Sequence, residues 1–139
     1  MPKLTLEESL AKNGFLTYRI RGVSMRPMLR QGRDLFTVVP KGSERCKKYD
    51  VVLYRRPSDP YVLHRIIEVR PDSYVILGDN CIAKEYGIRD EDILGVLTSF
   101  QHNCHTVSVS DWRYRLYSRG WVFFQPVRIF YKRVKGKLH

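Results

Sequence analysis

The sequence is poor in paired cysteines, in long apolar runs and, toward its C-terminus, in acids. Its three cysteines, Cys46, Cys81 and Cys104, make an odd number without a Cys-x-x-Cys spacing. A disulfide framework and a structural zinc site are both disfavoured, and a reducing, cytoplasmic setting fits better. His102-x-Cys104-His105 has the composition of a ligand cluster, but a polar loop leading into an edge strand is the commoner origin of such a group, and no metal is expected. No window approaches the roughly eighteen apolar residues of a spanning helix, and Met1–Asn13 has no apolar stretch of signal-peptide length. No segment repeats at the ~20–50-residue periods of solenoids and propellers.

What is present is a chain of 139 residues, 43% hydrophobic and 28% charged, which suits a globular protein with one modest core. The net charge of +11 is unevenly placed. Residues 112–139 hold 8 Lys and Arg and no acids, whereas residues 1–111 hold 17 Lys and Arg against 14 acids. A division follows: 1–110 as the main body and 111–139 as a basic tail.

Local patterns give a mainly β chain. Thr5-Leu6-Glu7-Glu8 fits a capping box and Gly14 a stop, which predicts a short helix over 6–13. Strands are predicted at Phe15–Arg21, Leu35–Val39, Asp50–Arg55, Tyr61–Val69, Tyr74–Leu77 and Ile93–Phe100, with Cys104–Val109 as an edge strand. Arg56-Pro57-Ser58-Asp59-Pro60 is a strong turn signal between two of them. On Tyr61–Val69 the pleat puts Val62, His64, Ile66 and Glu68 on one side.

The chemistry concentrates at Gly22-Val23-Ser24-Met25-Arg26-Pro27-Met28-Leu29 and at Val62-Leu63-His64-Arg65-Ile66. Pro27 disfavours a long helix starting before it, so Ser24 is expected on a tight corner after a strand, its hydroxyl accessible. A serine needs a base to act as a nucleophile, and a histidine mounted on a strand is suited to that task. The turn Gly78-Asp79-Asn80 and, farther on, Glu85 offer carboxylates to orient His64.

These boxes, in this order, resemble the signal-peptidase and SOS-repressor superfamily of serine peptidases. The matching residues are Gly22-x-Ser24-Met25-x-Pro27-x-Leu29 with Gly32, the strand Tyr49–Tyr54, His64-Arg65-Ile66, the turn Gly78-Asp79-Asn80 and the strand Ile93-Leu94-Gly95-Val96. Histidine at the base position makes the chain similar to the Ser-His branch of the endoplasmic reticulum and archaea. The resemblance implies a compact signal-peptidase-like β-fold, like the C-terminal domain of SOS repressors. Here that fold would carry a short N-terminal helix and a C-terminal amphipathic helical tail.

The same resemblance implies a serine endopeptidase with Ser24 as nucleophile and His64 as general base. Met25, Pro27 and Met28 would help line the cleft that receives an extended peptide, although these apolar side chains also suit a core beneath the corner. The acid that orients His64 would be Glu85 or Asp79. Glu85 is preferred, at a position where this branch usually carries aspartate, and Asp79 would then form an ion pair, with Arg65 as partner. The Ser24 amide would serve the oxyanion, and Gly22 stands where some relatives place a serine hydroxyl. The expected partner is a peptide or protein substrate, with no cofactor. A self-cleaving repressor is disfavoured, because no Ala-Gly or Cys-Gly site precedes Ser24. A non-catalytic peptide-binding module of the same fold is the competing reading.

In the tail, Phe123, Val127, Phe130 and Val134 recur at helical steps, with Trp112 and Leu116 approximately in phase. Gly120 and Pro126 predict a break, giving two short helices or one kinked helix. Peripheral contact of 112–139 with an anionic membrane and simple packing of the stripe on the sheet are the two main readings. Nucleic acid is the least favoured partner.

Overall fold

The structure is a computed structural model that describes residues 6–56 and 61–137. The expected capping residue Thr5 and the turn residues 57–60 lie outside the described residues.

Alternating apolar residues build an open antiparallel sheet of eight strands. The strands are β1 (Leu16–Arg19), β2 (Leu35–Pro40), β3 (Val51–Tyr54), β4 (Val62–Val69), β5 (Tyr74–Leu77), β6 (Glu85–Ile88), β7 (Ile93–His102) and β8 (His105–Ser108). Their order is β1-β2-β7-β3-β4-β5-β6, and β8 pairs with the C-terminal half of β7. Helix α1 (Leu6–Asn13) carries Glu7 and Glu8 in its first turn and Lys12 in its last, which complements the helix dipole. It ends at Gly14, whose φ of +78° few other residues adopt readily. Leu10 is its buried anchor.

The centre of the sheet is buried on both faces, and period 2 sorts its residues into two cores. Val51 and Leu53 of β3 join Leu63 of β4 in the larger core, with Leu16, Phe36, Val38, Leu97, Phe100 and the corner residues Met25, Met28 and Leu29. Val52 and Tyr54 join Val62 and Ile66 in the smaller one, with Tyr74, Ile76 and Ile93. His64 is paired with Val52 across β3–β4, which places it on the smaller-core face, and Arg65 therefore points to the other.

Three details differ from the sequence expectations. Strand β6 is an addition, because Glu85-Tyr86-Gly87-Ile88 carries little apolar pattern and owes its strand to pairing with β5. A register shift between Ile66 and Glu68 takes Glu68 out of phase with His64, and it ends exposed. The tail forms α2 (Trp112–Phe123) and α3 (Gln125–Lys137), so the break falls at Phe124 and Gly120 lies within a helix. Pro126 is tolerated in the first turn of α3, where a missing N–H costs nothing. Asp111 caps α2 by accepting from the Arg113 amide at 2.8 Å.

Candidate active site

The Ser24 corner is held from below. Met25 and Leu29 are fully buried and Met28 nearly so, and the Leu29 amide donates to the Met25 carbonyl at 2.9 Å. His102 Nδ1–H donates to the Met28 carbonyl at 2.8 Å. Asp34 accepts from the Arg30 and Asn103 amides at 2.8 and 3.0 Å and from Arg33. Burial alone would raise the Asp34 pKa, but these donors outweigh it and hold the carboxyl at about 2. Ser24 itself is half-buried.

The Gly78–Asn80 turn seats against this corner. The Asn80 amide donates to the Ser24 carbonyl at 2.8 Å and the Asn80 side chain to the Val23 carbonyl at 3.0 Å. Gly78 is the point of closest approach. A Cβ there would lie 2.8 Å from the Ser24 carbonyl oxygen, 2.8 Å from Cys81 Sγ and 2.9 Å from His64 Nε2. Only glycine lets the serine corner, the histidine and the Cys81 thiol converge on one spot.

Ser24 and His64 line the same cleft of about 770 Å³, with Tyr18, Ile20, Leu63 and Cys81 among its walls. Among the described residues no hydrogen bond joins the Ser24 hydroxyl to His64, and the Ser24 amide has no partner. Strand β1 ends the sheet order, so the edge beside this cleft has no neighbouring strand.

The other side of the imidazole is fully engaged. His64 Nδ1 lies 3.1 Å from the Tyr54 hydroxyl, and Tyr54 donates to Glu85 Oε1 at 2.7 Å. Glu85 Oε1 is itself 3.7 Å from Nδ1, and Arg56 donates to both Glu85 oxygens. Burial would raise the Glu85 pKa, but His64, Tyr54 and Arg56 together hold it at about 2. Glu85 is therefore ionised and accepts only. The Tyr54 proton is spent on Glu85, so its oxygen must accept from Nδ1–H. Neutral His64 then carries its proton on Nδ1 and a lone pair on Nε2, the nitrogen that faces Gly78 and Cys81. Burial works to lower the His64 pKa, while the Cys81 thiol and the Glu85 carboxylate raise it, and the net position is above the ordinary value.

Asp79 has a different setting. Its carboxylate takes a bidentate pair from Arg65, at 2.8 and 2.9 Å, and a bond from the Tyr117 hydroxyl at 2.8 Å. Both side chains of the pair are buried. Arg65 also donates to the Tyr49 carbonyl, Tyr114 and Ser118, so its donors are shared between sheet and helix. Trp121 Nε1 and Arg128 bind the Asp79 carbonyl at 2.8 and 2.9 Å, and Lys132 reaches Asn80.

Of the residues expected to line a peptide cleft, Met25 and Met28 sit in the core. Pro27 borders a separate groove with Asp79, Trp121 and Arg128. The two methionines serve packing under the corner, Pro27 is exposed, and the apolar cleft walls come from Tyr18 and Ile20 with Phe36, Leu53 and Leu63. Tyr54, Arg56 and Cys81 were not anticipated. Strand period alone does not signal the first, because Tyr54 and His64 share a face only through the β3–β4 register. Among the described residues no three His, Cys, Asp or Glu side chains converge as metal ligands. Comparison with known proteins gives no match: no family model, no curated protein and no solved structure is similar to this chain.

Proposed function

We propose that this chain is a serine endopeptidase with a signal-peptidase-like fold, in which Ser24 attacks a peptide carbonyl and His64 is the general base. The observation that carries the reading is the convergence at Gly78, where the Ser24 corner and His64 Nε2 meet within one side-chain radius. His64 Nε2 takes the Ser24 proton and returns it to the leaving amine, and a water then releases the acyl group by the same base. Glu85, through Tyr54 and directly, supports the imidazolium that forms in between. The unpartnered Ser24 amide is the one oxyanion donor that can be named, since Gly22 brings no hydroxyl. An extended peptide would add to the free edge of β1, whose residues Tyr18 and Arg19 border the cleft together with the following Ile20. The Ser24 hydroxyl makes no hydrogen bond to Nε2 here, and in unliganded active sites that contact commonly tightens on substrate binding.

The test is turnover of a mixed synthetic peptide set by purified protein, read by mass spectrometry. Ser24→Ala and His64→Ala should each abolish cleavage with the fold intact, and the double variant should lose little more. Equal cleavage by Ser24→Ala protein removes Ser24 from the mechanism. The missing Ser24–His64 hydrogen bond favours one competitor, a non-catalytic peptide-binding module of the same fold. Saturable peptide binding with no cleavage by any form of the protein would select it.

A further inference from the structure

The apolar stripe of the tail faces outward. Trp112, Leu116, Phe123, Val127, Phe130 and Val134 are all exposed, Phe123 at 76% and Phe130 at 70%. A helix packed on a sheet by its apolar face would bury them. These helices instead bury their polar side. Tyr114, Ser118 and Gln125 are buried, and Tyr117, Trp121, Arg128 and Lys132 turn inward to Asp79 and Asn80. The packing expectation for the stripe therefore fails, because the Arg65–Asp79 cluster claims the hydrogen-bonding face of both helices. Phe123 and Phe130 border one groove with Ile82 and Tyr86, and large apolar side chains clustered in water mark an interaction site.

Its charge says what covers it. Residues 112–139 hold 8 Lys and Arg and no acids. At helical spacing Arg115 and Arg119 border Trp112, Leu116 and Phe123 on one flank and Arg113 on the other, while Arg133 borders Phe130. A cavity of about 180 Å³ beside α2 adds Lys47 and Lys48 to Arg115 and Arg119, with Asp50 also in its wall. Duplex DNA would meet the cations but, with its bases stacked inside, would gain little from the aromatic stripe. A second copy would bring one cationic rim against another.

We propose that α2 and α3 form a docking face for an anionic lipid bilayer, with the stripe at headgroup depth and the flanking arginines on lipid phosphates. The same helices grip Asp79 and Asn80 from within, and Asn80 holds the Ser24 carbonyl. A bilayer on the outer stripe would therefore leave the Ser24 corner on the inner side of the helix layer. The inference stands apart from the peptidase reading, because its test reads binding alone.

The experiment is sedimentation of the full chain with vesicles of phosphatidylglycerol and phosphatidylcholine, against vesicles of phosphatidylcholine alone. The protein should bind the anionic vesicles, release with added salt, and ignore the neutral ones. Arg115→Gln with Arg119→Gln should weaken partitioning roughly thirty-fold, at the usual gain per cation near a charged membrane. Phe123→Ser with Phe130→Ser should weaken it by at least about tenfold, and both variants should keep the wild-type thermal melt because the altered side chains are exposed. No binding to anionic vesicles, or binding indifferent to both variants, overturns the proposal. A dimer in sedimentation velocity that is lost in the phenylalanine variant, without vesicle binding, would assign the face to a second copy instead.

Discussion

Tyr54 stands between His64 and Glu85: its oxygen is 3.1 Å from His64 Nδ1 and its proton goes to Glu85 at 2.7 Å. The acid thus acts on the imidazole largely through a phenol. Because the Glu85 charge helps raise the His64 pKa, turnover should climb with pH through a value above the ordinary ~6.5. Glu85→Gln removes that support, so the acidic limb of the kcat/KM profile should move to lower pH while the plateau falls. An unmoved limb would detach Glu85 from His64.

The Glu85 pKa of about 2 lies below its ordinary value, so its contribution to stability is present above the unfolded-state pKa and fades as pH falls from there toward 2. Urea midpoints of wild type and Glu85→Gln should converge across that acidic range. A constant gap down to the lowest pH would contradict the depressed value.

Gly78→Ala tests the convergence itself. The added methyl meets two backbone- or ring-held atoms, the Ser24 carbonyl and His64 Nε2, at 2.8 and 2.9 Å. Displacement of about 1 Å typically costs about 100-fold in rate. Cleavage should fall by that order and the melting temperature should drop by several degrees, the cost of overpacking against a backbone oxygen, and wild-type turnover by Gly78→Ala would show that the convergence is incidental.

The Arg65–Asp79 pair joins the sheet to α2. Arg65→Met leaves a buried carboxylate without its cation, which should cost about 3–5 kcal/mol. Urea unfolding measures this, with an unchanged m-value marking a change in stability alone. A loss below about 1 kcal/mol would mean that Tyr117 and water suffice for Asp79.

Cys81 supplies a chemical handle on the cleft. Burial, aided by Asp50, pushes the Cys46 thiol up to about 11, so Cys46 should react slowly with iodoacetamide. Cys104 is exposed and Cys81 half-buried. In a Cys104→Ser background, loss of turnover should track the Cys81 adduct, and Cys81→Ser should resist the reagent. Full alkylation of Cys81 with undiminished cleavage would place the thiol outside the substrate path.

Much of the sheet was legible because Val51–Tyr54 and Tyr74–Leu77 are short, continuous apolar runs rich in β-branched and aromatic residues and bounded by polar turn residues, the pattern of strands buried on both faces. Strand β6 was not, since Glu85 and Gly87 break the pattern and only pairing with β5 creates the strand. Ser24 and His64 were singled out from motif and spacing, but the partner of Nδ1 was not. It needs the β3–β4 register, which pairs Val52 with His64 and so brings Tyr54 to the same face. The orientation of the tail was illegible for a related reason. Its apolar stripe suited a membrane surface as well as packing on the sheet, and the attraction of Asp79 for Tyr117, Trp121 and Arg128 that turns it outward depends on a turn far away in the chain. Met25 and Met28 show the same limit: an apolar side chain beside a serine serves core or cleft equally well until the corner is folded.

The most direct test of the peptidase reading is N-terminal profiling by mass spectrometry of the cells that make this protein, comparing wild type with Ser24→Ala. The account predicts a set of new protein or peptide N-termini that disappears in the variant and reappears when purified wild-type protein is added to the variant's extract. Identical sets of termini, with both proteins present and folded, would contradict it.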